Sequence, residues 1–250
     1  MDFKQWFFQL KDERKDAPID DDTGVVNVLT AGSPVEVTIT DRFGTALSNP
    51  LTFSNGKVTF YTAKTVTSVD LSVLTANGDA QFLKGVTASE HRIDIDSEQR
   101  KQILVIPFAA SDNTVVDTGF DLPAGMLVTD AYIKVVTTDS TETLDFGFKN
   151  AVEGGDLDGL LVGVSVGTAG HVTPYGTVTN GTNIDYLVVT AGYGALLLQS
   201  IAGADAVATN GGAARRYYLT DGTIKSLVYT GSSGSDTAAG YLILEYNKLV

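Results

Sequence analysis

Several stretches place residue types at spacings that chemistry can use. Gly163-Val164-Ser165-Val166-Gly167 matches the G-x-S-x-G pattern that presents a serine nucleophile, and His171 lies close behind. That pattern needs a strand, a sharp turn and then a helix. Ser165 is followed instead by VGTAGHVTPYG, whose proline and glycines do not sustain a helix. Neither His91 nor His171 follows an acid in the order of a hydrolase triad. Ser165 therefore reads as the end of a glycine-flanked strand, and no catalytic residue is expected. Glu153, Asp156 and Asp158 bring three carboxylates together in E-G-G-D-L-D-G, but without EF-hand spacing or a closing acid. Clustered Asp and Gly mark turns, so a turn is expected, with a weak calcium site as the alternative. Arg215-Arg216-Tyr217-Tyr218 is a basic, aromatic cluster in an acidic half. Its residue types suit an interface hot spot, and equally the start of an ordinary strand. Tyr175, Tyr186 and Tyr193 are open to a glycan-binding reading.

The elements that must position these residues are β-strands. Met126–Thr137 and Thr143–Lys149 alternate apolar and polar residues. Leu127, Ala131, Ile133 and Val135 share one face of the first run, and Leu144, Phe146 and Phe148 one face of the second. With T-D-S-T-E between them, the pair is expected to form an antiparallel hairpin. From Val25 to Asp96, short strand-like runs alternate with D-R-F-G, Asn55-Gly56 and Asn77-Gly78, the last two being strong hairpin signals. The N-terminus reads differently. In DFKQWFFQLKDERK, Phe3, Trp6, Phe7 and Leu10 follow the i, i+3, i+4, i+7 spacing of an amphipathic helix over residues 2–15, with Pro18 beyond it. Its charged back, including Lys4, Lys11, Asp12, Glu13, Arg14 and Lys15, would face water. Such a helix either packs on its own domain or docks on a neighbouring subunit. Asp20-Asp21-Asp22 reads as a solvated linker.

The expected architecture is all-β: an N-terminal helical arm (1–16), a small immunoglobulin-like β-sandwich (17–100) and a larger jelly-roll-like β domain (101–250). Ser97–Lys101 is the expected boundary. Composition agrees with strands and tight turns, since charged residues make up only 19% of the 250 positions and glycine numbers 26. The absence of cysteine excludes disulfides and thiolate metal sites. The formal charge of −13 is uneven, with 11 Lys/Arg against 15 Asp/Glu in residues 1–101, and 6 against 15 in residues 102–250. A field of that sign repels phosphate backbones, so nucleic acid is not expected as a partner. Apolar runs such as Leu104–Ala110 are too short to span a bilayer, and the first residues do not resemble a secretory signal.

The run T-I-T-D-R-F-G-T-A-L-S-N-P-L-T-F-S-N-G-K-V-T-F-Y-T, with V-D-L-S-V soon after, resembles the first module of structural proteins from tailed-bacteriophage particles. F-D-L-P-A-G-M-L-V-T-D-A-Y-I-K-V, L-D-F-G-F, G-G-D-L-D-G-L-L and A-G-Y-L-I-L-E-Y resemble phage virion β-domains. The likeness implies a non-enzymatic capsid decoration (cement) protein on the capsid surface. It would bind the major capsid protein and copies of itself, trimers especially, without a cofactor or membrane. Phe3, Trp6, Phe7 and Leu10, with Arg215, Arg216 and Tyr217, are the expected partner-binding residues. The alternative is a tail or fibre component that binds host-surface glycan.

Overall fold

Side-chain alternation, more than any other local signal, decides this architecture. The computed structural model describes residues 3–109, 113–149, 156–172, 192–193, 197, 218–220, 225–232 and 237–249. Every named element among them is a strand, and no helix there is long and apolar enough to cross a membrane. The chain divides into two compact units, Met1–Pro107 and Phe108–Val250.

In the first unit, β1 (Phe3–Asp12) pairs antiparallel with β5 (Lys57–Ala63) and β2 (Ala17–Pro18), and parallel with β8 (Arg92–Ile95). A second, antiparallel sheet runs in the order β4 (Leu51–Thr52), β3 (Val25–Thr30), β6 (Ser68–Leu74), β7 (Ala80–Thr87). One apolar cluster draws on both sheets, with Trp6, Phe8 and Leu10 from β1, Phe60 from β5, Val26 and Val28 from β3, and Leu71 and Val73 from β6.

The expected N-terminal helix is therefore a strand. Over ten residues rich in aromatics, a helical stripe through Phe3, Trp6, Phe7 and Leu10 and a strand face through Trp6, Phe8 and Leu10 fit almost equally well. Pairing decides: aromatic residues favour the pleated surface, and β5 pairs with β1 along residues 3–9 while β8 pairs with it along residues 9–12. Trp6, Phe8 and Leu10 are fully buried. The Trp6 indole stacks on Phe60 at 5.9 Å, and its Nε1–H donates to Thr62 Oγ1 at 2.9 Å. Asp12, expected in water, is buried and accepts from Ser97 Oγ and the amides of Arg14 and Lys15.

The three-aspartate linker is also corrected. Asp21 is buried, and its carboxylate accepts the amides of Thr23, Gly24 and Ala76. Its carbonyl takes the Gly56 amide, while Asp22 Oδ1 takes that of Asn55. This loop is a junction holding the Asn55-Gly56 turn, where both residues have positive φ. A side chain at Gly56 would collide with the Ile19 carbonyl. Asn77-Gly78 joins β6 to β7 as an antiparallel pair.

The charged segment Ser97–Lys101 is tied to the first unit by Ser97 on Asp12 and by Arg14 on Asp96 and Glu98. The division between the units falls later, within β9 (Lys101–Ala109).

The second unit contains one sheet ordered β10 (Val115–Leu122), β17 (Lys225–Gly231), β12 (Thr143–Lys149), β13 (Leu161–Ser165), β15 (Gly192–Tyr193). The other runs β14 (Gly170–Val172), β11 (Met126–Thr137), β18 (Ala239–Lys248), with β16 (Tyr218–Leu219) also on β11. The expected hairpin of β11 with β12 does not form. β11 pairs with β14, β16 and β18, while β12 pairs with β13 and β17 in the other sheet. The connection that looked like a wet turn is a crossing, with Asp139 and Glu142 buried and Asp139 accepting from Thr141 and Thr237. Alternation in β12 is as expected, with Leu144, Phe146 and Phe148 buried. In β11 a register shift between Val128 and Asp130 turns Val128 inward in place of Leu127.

Candidate functional site: the outward face of the first sheet

Because β1 alternates, the four residues expected to act together at the N-terminus point two ways. Trp6 and Leu10 belong to the core; Phe3 and Phe7 are half-buried on the opposite face. On that outward face Gln5 lies opposite Tyr61, and Phe7 opposite Thr59, across β1 and β5. The His91 ring lies 6.2 Å from that of Phe7, with its Nδ1 3.3 Å from the Phe7 carbonyl. The His91 carbonyl takes the Gln9 amide, which pins the imidazole's backbone to the strand.

Beside β5 the chain makes the turn Asp41-Arg42-Phe43-Gly44-Thr45. Thr40 bridges both Tyr61 and Ala46, exchanging amide hydrogen bonds with Tyr61 at 2.9 Å each way. The Asp41 carboxylate accepts the amides of Phe43 and Thr45, and the Asp41 carbonyl accepts that of Gly44. These bonds, the Thr45 amide foremost, hold the Asp41 carboxyl below its ordinary range. Gly44 has φ +88°, and a Cβ there would sit 3.0 Å from the Phe3 ring, so Phe3 packs beneath the turn. The turn held by these bonds carries Phe43, 76% exposed, with the Arg42 guanidinium 4.5 Å from its ring centroid. Among the described residues Arg42 makes no ion pair. An exposed aromatic beside a cation, on a turn whose backbone is already fixed, is the composition of a binding anchor.

Compared with protein-family models, curated proteins and solved structures, the chain matches none. The likeness to phage virion proteins thus rests on the quoted sequence runs alone.

The other candidates disperse. Ser165 ends β13 and accepts the Gly167 amide on its Oγ at 3.3 Å, while His171 lies in β14, in the other sheet. Asp156 and Asp158 share a turn in which the Asp156 carbonyl takes the amides of Phe148 and Gly159. The Asp156 carboxyl is raised by burial first, then by its hydrogen bond and charge interaction with Asp158. Among the described residues no three His, Cys, Asp or Glu converge to hold a metal. Glu153, Tyr175, Tyr186, Arg215, Arg216 and Tyr217 lie outside the described residues, as does the side chain of Tyr193.

Arg42, Phe43, Tyr61 and His91 were missed as site residues. D-R-F-G was legible as a turn, and the available signal was its phenylalanine, an apolar residue where turn chemistry calls for a polar one.

Proposed function

We propose that this chain is a non-enzymatic structural protein of a tailed-bacteriophage particle, a decoration or cement protein that clamps the major capsid protein from the capsid surface. The first unit serves as an immunoglobulin-like sandwich presenting the contact, and the second as a jelly-roll-like body for association with further copies. The observation supporting this is the Arg42–Phe43 turn, locked over Phe3 beside the outward aromatic face of β1 and β5. A flat β face with an exposed aromatic anchor favours capture of another surface, and repetition over a symmetric shell multiplies a modest contact.

The test is attachment of the purified chain to undecorated shells. Phe43→Ser and Arg42→Glu are expected to lower occupancy at fixed concentration at least tenfold while the fold is retained. Unchanged occupancy in both would refute the contact. Saturable binding on a glycan array, lost in the same variants while shell occupancy is unaffected, would favour the tail-fibre alternative.

A further inference from the structure

One end of the first unit holds a cleft of about 570 Å³ between the end of β3, the segment Glu36–Thr38 and the β5–β6 connection. Thr30, Thr38, Thr65 and Thr67 line it, along with the aliphatic side chains of Val37 and Val66. The charged group in its wall is Glu36. The carboxylate is held by Asn27, 1% exposed, whose Nδ2–H donates to Glu36 Oε1 at 2.9 Å. The Asn27 Oδ1 is buried without a hydrogen-bond partner, so the amide is in place chiefly for the contact it makes with Glu36.

Among the described residues no lysine or arginine ion-pairs with Glu36. Lys4 donates to the carbonyls of Val66 and Thr67 at 3.4 and 3.3 Å, and its ammonium lies 4.8 Å over the Trp6 ring. Glu36 is exposed as a residue, but partial burial of its carboxyl raises it above its ordinary range, and the Asn27 bond lowers it by less. A carboxylate fixed in place without a counter-charge gains when a cation arrives.

The geometry points to a binding site for a primary alkylammonium group, with Glu36 as its counter-charge and the threonine hydroxyls as its further acceptors. Three N–H donors on a compact head match one free carboxylate oxygen plus hydroxyls. A guanidinium suits the site less, because Asn27 already occupies Oε1 and breaks the bidentate fork. Calcium suits it less again, since a single carboxylate falls short of its usual oxygen shell. The aliphatic walls accommodate the methylenes behind the ammonium. Both a free polyamine and a lysine side chain carry that group.

The experiment follows backbone amide shifts of the full, isotope-labelled chain during titration with n-butylammonium chloride at constant ionic strength. The expected result is saturable shifts confined to residues 30–31, 36–38 and 63–68. Glu36→Gln, which keeps an acceptor for Asn27 while removing the charge, is expected to weaken binding at least tenfold and leave the β1 signals in place. Tetramethylammonium, with the same charge and no N–H, is expected to produce no such shifts. Spermidine and Nα-acetyl-lysine-methylamide distinguish the source, the tighter binder identifying a free polyamine or a protein lysine. Shifts scattered over the acidic surface, equal in Glu36→Gln, or reproduced by tetramethylammonium would overturn the assignment.

Discussion

Asp21 and Asp12 show how much of this fold hangs on single carboxylates in segments that read as water-facing. Asp21→Ala leaves the amides of Thr23, Gly24 and Ala76 without their acceptor. Stranding a buried donor costs about 1–3 kcal/mol, and of the three only the Gly24 bond is buried, so a loss of about 2 kcal/mol in urea unfolding is expected. Asp12 carries a pH signature. The Ser97 hydroxyl first, then the Lys15 amide, lower its carboxyl from 3.8 to about 2. A depressed folded-state value means that the contribution is present in full above the unfolded value. It is lost as pH falls from about 3.8 toward about 2. Between pH 5 and pH 2.5 the wild type is therefore expected to lose more denaturation midpoint than Asp12→Asn, and equal losses would count against the bond to Ser97. Neither role was legible from sequence. Asp-rich stretches look solvated unless the donors that surround them are known, and two of those donors, the Ala76 amide and the Ser97 hydroxyl, lie far along the chain.

At the scale of elements, β1 bears the heaviest burden. Leu10→Ala removes a fully buried side chain between two paired strands, and about 3 kcal/mol of destabilisation is expected. Trp6, the one tryptophan of the chain, is buried against Phe60, so its emission reports unfolding of the first unit directly. Deleting residues 1–16 removes this strand whole and is expected to abolish amide protection across β5 and β8; retained protection would show β1 to be dispensable. The turns were the readable part of the fold. Asn55, Gly56 and Gly78 have the left-handed backbone that their residue types favour, because turn chemistry is local. Strand partners were not readable. β11 and β12 are neighbours in sequence but belong to different sheets, and nothing within residues 126–149 encodes that choice. It depends on β17 and β18, roughly a hundred residues on, pairing by non-local contacts that a single sequence leaves open. The site suffered likewise: Phe3 and Phe7 were named, yet their companions Tyr61, His91 and Phe43 come together only once β1 is a strand beside β5.

For the whole molecule, the decoration role proposed above raises the question of how many copies of the Arg42–Phe43 turn would engage a shell at once. The chain carries a formal charge of −13, so distinct copies repel one another unless short-range contacts prevail. Suppose burial of Phe43 contributes about 1.4 kcal/mol at each contact, a factor of about ten in affinity. A single engaged copy then loses about tenfold on Phe43→Ser, whereas an oligomer engaging three contacts together loses on the order of a thousandfold. Measuring shell affinity for the wild type and Phe43→Ser, alongside sedimentation of each free in solution, gives that exponent directly. A thousandfold loss with an unchanged oligomeric state supports three anchors held by one assembly. A tenfold loss would mean one anchor per attached particle, and the remaining copies would then owe their place on the shell to contacts made elsewhere on the chain.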